Sequence, residues 1–166
     1  MNNPQIFSAK FIFSLCAALL LLSACKPRGN WPEGMEAIHW DRDACAGCGM
    51  VISDPRFAVE LRGGAKNTVF KFDDMGCLAA WLREKAGANL LAQTPNPRIW
   101  VADFASFRGS RETLRWLDAR TARYIRRSSP MGYDFAAVEN AAADEKTIGF
   151  DEILQSIQAT QQRGRQ

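Results

Sequence analysis

The chain has 166 residues and a formal net charge of +3, with 21 Lys and Arg, 18 Asp and Glu, and a single histidine. So even a balance leaves no large basic surface, which argues against nucleic-acid binding. The length suits one domain or two very small ones.

Residues 1–24 read as an export signal. Lys10 is their only charge, and the apolar run from Phe11 to Leu22 is too short to span a bilayer comfortably. Leu22-Ser23-Ala24-Cys25 resembles the lipobox of bacterial lipoproteins. That resemblance implies cleavage before Cys25 and lipidation of its thiol and new amine. Several acyl chains anchor stably where one holds only marginally. An uncleaved helical anchor is the other reading. Lys26 after the lipid cysteine points to the outer membrane of a Gram-negative cell, with the domain in the periplasm.

Residues 25–38 contain two prolines and two glycines without periodicity, and read as a tether. About 13 flexible residues would reach roughly 20 Å, although Trp31 and Met35 could pack on the domain. Of five cysteines, Cys16 leaves with the signal and Cys25 carries lipid. Cys45, Cys48 and Cys77 remain, an odd number, so at least one thiol stands outside any internal disulfide.

The motif Cys45-Ala46-Gly47-Cys48-Gly49-Met50 comes next. Four chemistries fit it. Zinc wants four ligands, obtainable here only by recruiting Cys77 and His39; Cys77 falls on an apolar helix stripe, where a cysteine is usually a core residue. A thioredoxin-like pair belongs at a helix start, yet Gly47, Gly49 and Ser53-Asp54-Pro55 spell a loop. A Cys45–Cys48 disulfide would close too small a loop to constrain much entropy. Thiolate and thioether together select Cu(I), which is content with few ligands, and this reading uses Met50. Met131, in the aperiodic Ser129-Pro130-Met131-Gly132 loop, offers a second thioether or plugs a gap under the loop. His39 is a minor candidate; Met35 and Met75 read as packing or surface.

Residues 57–62 alternate, with Phe57, Val59 and Leu61 on one face of a strand. Gly63 to Lys66 is turn chemistry, and residues 67–72 form a second strand. Asp73 and Asp74 are N-cap candidates for a helix running to about Lys85 and stopping at Gly87. Cys77 and Trp81, and Leu78 and Leu82, make its apolar stripe. A proline-rich loop leads to a strand at 99–104. After a polar connector at 104–112, strands are expected at 114–116, 123–125 and 135–138. A short helix at 141–146, a last strand at 148–150 and a helix through Ile153, Leu154 and Ile157 follow. The class is α+β. The expected units are 39–105 and 106–158, with a frayed polar tail at 159–166.

The lipobox, the CAGCGM motif, Phe72-Asp73-Asp74-Met75-Gly76-Cys77, Trp116-Leu117-Asp118-Ala119 and Ser129-Pro130-Met131-Gly132 together resemble the NosL family across essentially the whole exported chain. The resemblance implies two small ββαβ units, a topology shared with organomercurial lyase. It implies a Cu(I) metallochaperone, not an enzyme, and a monomer. It implies delivery of copper to nitrous oxide reductase and docking to the NosDFY membrane complex. The carried-over ligands are Cys48 and Met131, with Met50 or an outside donor completing the site; Cys45 is ligand or disulfide partner. The rival reading is an enzyme, a thiol–disulfide reductase or organomercurial-type lyase acting through Cys45 and Cys48, with Cys77 as a further candidate. A third is a scaffold docking through its arginine-bearing second half.

Overall fold

A computed structural model describes residues 29–163. The signal segment, Cys25, Lys26 and the last three residues of the tail lie outside these. Among the described residues no helix is long and apolar enough to cross a membrane.

Strands β1 (Val59–Gly63) and β2 (Thr68–Phe72) form a hairpin in which Leu61 faces Phe70. Its turn carries Gly64 at φ +79° and Asn67 at φ +51°, left-handed positions that suit these two residue types. Strand β3 (Arg98–Ala102) pairs antiparallel on the other side of β1. Helix α1 (Met75–Trp81) follows β2, and helix α2 (Lys85–Gln93) follows α1. The first half therefore runs strand, strand, helix, helix, strand, the order its sequence pattern indicates except that two helices stand where one was expected.

One helix was expected up to Gly87, but the helix ends at Leu82 and a second begins at Lys85. Gly87 lies inside α2, where a Cβ would come 2.3 Å from the carbonyl oxygen of Trp81. Glycine there serves close helix approach, not termination.

The second half keeps the α+β class but changes the element order. Strand β4 (Trp116–Asp118) adds to β3, giving one four-stranded sheet in the order β2-β1-β3-β4. The sheet thus draws a strand from each side of the connector at 104–112, across the expected boundary between units. Strands β5 (Arg123–Arg126) and β6 (Phe135–Val138) form a separate two-stranded sheet. Residues 141–146 are turn and irregular backbone, since Ala-Ala-Ala-Asp-Glu-Lys has no apolar stripe to bury. The expected last strand shrinks to one bridge between Tyr124 and Ile148. Helix α3 (Phe150–Arg163) comes after all three strands, and it takes in residues 159–163 of the expected tail.

Helix α3 packs on α1, burying Ile153 and Ile157, four residues apart. One core joins Val59, Leu61, Phe72 and Leu78 to Tyr124, Phe135 and Ile153 of the second half. Each such side chain contributes about 1.5–3 kcal/mol by burial.

The tether is shorter than its composition suggests. Met35, Ala37 and Ile38 are buried, and Trp31 stacks on Trp40 and Trp116. The Glu36 amide donates to both carboxylate oxygens of Glu60, at 3.0 and 3.1 Å. This strap packs against the sheet because Glu60, wholly buried on β1, needs donors and cover.

Candidate metal centre

The cysteine motif is a small hairpin closed by a bridge between Ala44 and Val51. The Cys45 amide donates to the Met50 carbonyl at 2.8 Å, and the Gly49 amide to the Cys45 carbonyl at 2.9 Å. Gly49 takes φ +77°, which turns the chain inside this tight loop. The Ala46 amide donates to the Lys71 carbonyl at 2.8 Å and ties the hairpin to the edge of β2.

Strand β2 ends just before Asp73, and Asp74 caps α1 by accepting from the Gly76 amide at 2.7 Å. Cys77 follows in the first turn of α1, beneath the hairpin. The sulfurs of Cys45, Cys48 and Cys77 and a carboxylate oxygen of Asp73 all lie within 4.8 Å of one another. Cys45 and Cys77 are buried, Cys48 is exposed, and all three are free thiols. The Cys48 thiol donates toward Asp73, 3.8 Å from one oxygen and 3.9 Å from the other.

Four acidic groups this close cannot all ionise. A hydrogen bond from Cys77 brings the Cys45 thiol down to about 7. Cys77 is pushed far up, first by donating that hydrogen bond and then by burial. Desolvation of its sulfur raises Cys48, and the Cys45 charge adds to this. The cluster thus holds one ready thiolate near neutrality, and a bound cation would displace the other protons.

The loop carrying Met131 is fastened beside this cluster. Ser129 donates its hydroxyl to the second carboxylate oxygen of Asp74. Asp134 and Ser129 exchange hydrogen bonds at 2.9 and 3.0 Å, bracing the loop. Tyr133 lies against Gly76, where a Cβ would come 2.0 Å from its ring. Burial raises Asp74 to about 6 and raises Tyr133, with Cys77 and Asp74 adding to the latter.

Of the residues singled out from sequence, Cys45 and Cys48 meet in the cluster. Met131 is half-buried and packs on the core from the docked loop, while Met50 shares the hairpin with 54% exposure. His39 pairs with Asp43 at 3.5 Å and is not among the four clustered groups. One member, Asp73, was missed, and Cys77 was weighed only as a zinc or enzyme group and otherwise set aside as a core residue. The apolar stripe of α1 does place Cys77 in the core, but at the turn where the core meets the hairpin. A helix needs one cap and the sequence offers two aspartates; the spare one, Asp73, is 3% exposed and faces the thiols.

The family model for NosL matches residues 38–149, which include all four clustered groups and Met131. The chain belongs to the NosL family. Among solved structures, the crystal structure of the copper chaperone NosL from Shewanella denitrificans has the same fold, with a TM-score of 0.55 at 20% identity. The similarity covers 75% of this chain and 98% of that NosL. None of the curated proteins matches.

Proposed function

We propose that this protein is a lipid-anchored Cu(I) metallochaperone that supplies copper for the maturation of nitrous oxide reductase. The observation that carries the reading is the convergence of three thiols and a carboxylate within 4.8 Å under an exposed hairpin that also bears a thioether. NosL membership and the copper chaperone of the same fold support the choice of copper.

Soft sulfur donors favour Cu(I). Three thiols and a carboxylate would satisfy zinc by number, but the methionines flanking the cluster add donors that zinc rarely takes. Cys48 and Met131 are the proposed ligands, with Cys45 and Cys77 in position to complete the site. Cys48 and Met50 stand at the solvent rim, where an acceptor's own soft donors can replace them one at a time. Such ligand exchange needs no turnover chemistry, only an open site of few ligands.

Competition titration with a chromophoric Cu(I) chelator tests this. About one Cu(I) per chain is expected, lost in Cys48→Ser and weakened in Met131→Ala. Unchanged affinity in both variants would sink the ligand assignment.

The neighbouring thiols also favour a second reading, thiol–disulfide exchange through Cys45 and Cys48. Turnover of a disulfide substrate by the copper-free protein, abolished in Cys45→Ser, would establish it.

A further inference from the structure

We propose that Lys71 is the positioning residue of the metal centre, fixing the cysteine hairpin over Asp73 and Cys77 by a three-point tie. This rests on the reading of the cluster as a metal site.

Lys71 lies on β2, two residues before Asp73, and its side chain is only 10% exposed. Strand alternation turns it away from Phe70 and Phe72, onto the face covered by the strap. Its ammonium donates to Asp43 Oδ2 at 2.7 Å, to the Ala37 carbonyl at 2.7 Å and to Glu36 Oε1 at 3.2 Å. An ammonium has three donors, and here each has a partner.

The same residue holds the hairpin by its backbone, since its carbonyl receives the Ala46 amide at 2.8 Å. Asp43 passes the restraint on. Its carbonyl accepts from the Ile52 amide at 2.9 Å, across the mouth of the hairpin, and its carboxylate accepts from the His39 amide at 2.9 Å. Lys71 therefore grips the arm entering the hairpin and, through Asp43, the arm leaving it.

Further out, Arg111 links the same two arms, donating to Asp41 Oδ2 at 2.9 Å and to the Ser53 carbonyl at 3.1 Å, but neither bond reaches the strand beneath the cysteines. Residues 46–51 are all exposed, leaving Cys45 and Ile52 as its buried side chains. Apolar packing therefore contributes little between them, and charge-assisted hydrogen bonds are the strong ties available. A metal site loses affinity when its ligands drift by a fraction of an ångström, so a residue that ties down both arms governs the sulfur geometry without touching the metal.

The experiment compares Lys71→Met, Lys71→Arg and Asp43→Asn in the full chain, with two measurements. One is Cu(I) affinity by chelator competition. The other is the rate at which iodoacetamide alkylates each thiol of the copper-free protein, read by mass spectrometry. Lys71→Met is expected to weaken Cu(I) binding ~10-fold or more, the loss typical of removing groups that orient metal ligands. It should also speed alkylation of Cys45, the hairpin thiol that the tie keeps buried. Arginine keeps the charge and the donors and should restore most of both. Asp43→Asn should shift both in the same direction as methionine and guards against a folding defect peculiar to position 71. Affinity and Cys45 alkylation both unchanged in Lys71→Met, or an arginine variant as impaired as methionine, overturns the proposal. A wild-type protein that binds no Cu(I) would remove the metal reading, and the alkylation rates would still decide whether Lys71 positions the thiols.

Discussion

The thiol of Cys48 points at the carboxylate of Asp73, with its sulfur 3.8 Å from the nearer oxygen. A negative carboxylate beside a thiol disfavours its ionisation, and Asp73 adds to the upward shift of both Cys48 and Cys77. Added to the larger effect of desolvation, it helps keep the rim thiol protonated in the copper-free state. Asp73→Asn should move the Cys48 alkylation profile to lower pH. At a pH below the titration midpoint the rate should rise, because a lower thiol pKa enlarges the reactive thiolate fraction. A rate in Asp73→Asn equal to or slower than wild type would show that the carboxylate does not restrain this thiol.

The first half of the fold was legible because its strands alternate cleanly and its helix carries one stripe, signals that are local in sequence. The second half was not. Whether Trp116–Asp118 starts a new sheet or joins β3 depends on pairing with Trp100 and Ala102, which no local pattern announces. The strap was anticipated only in Trp31 and Met35, and its extent was not legible for a similar reason. Met35 and Ile38 show no period because they fill gaps above a sheet face rather than build an element of their own. In the site, Cys45 and Cys48 stood out by spacing. Cys77 was hidden because a core cysteine and a ligand cysteine occupy the same helix stripe, and only the position of the hairpin above it tells them apart. Asp73 was hidden behind the capping role that Asp74 performs.

Gly76 ties the Met131 loop to the cluster through shape. A Cβ there would come 2.0 Å from Cγ of Tyr133 and 2.4 Å from its Cβ, atoms at the root of the side chain that cannot swing aside. Alanine improves helix propensity by up to ~1 kcal/mol, but overpacking of this kind costs about 1–3 kcal/mol. Gly76→Ala should therefore lower stability in urea unfolding and push residues 129–134 outward. Adding Tyr133→Ala should recover part of the loss, because the two side chains compete for one space. Strictly additive losses in the double variant would mean that the loop is not seated on Gly76.

Glu60 sets the last expectation, one of stability against pH. Its side chain is wholly buried, and in register it stands between Lys71 and Trp100. Burial raises its pKa from 4.5 to about 7, even though the Glu36 amide and the nearby Lys71 charge pull the other way. The folded protein therefore holds a proton that the unfolded chain releases above pH 4.5. Linkage gives the sign. The contribution to stability is full below the unfolded value and is lost as pH rises through the folded one. Glu60→Gln keeps an oxygen to accept the Glu36 amide and cannot ionise. Relative to wild type, it should gain stability on going from pH 5 to pH 8, on the order of 2 kcal/mol at ~1.4 kcal/mol per pKa unit. Urea unfolding of both proteins at the two pH values gives the difference directly. Parallel pH profiles for Glu60→Gln and wild type would show that this carboxyl ionises as readily folded as unfolded, and that the strap does not seal it from water.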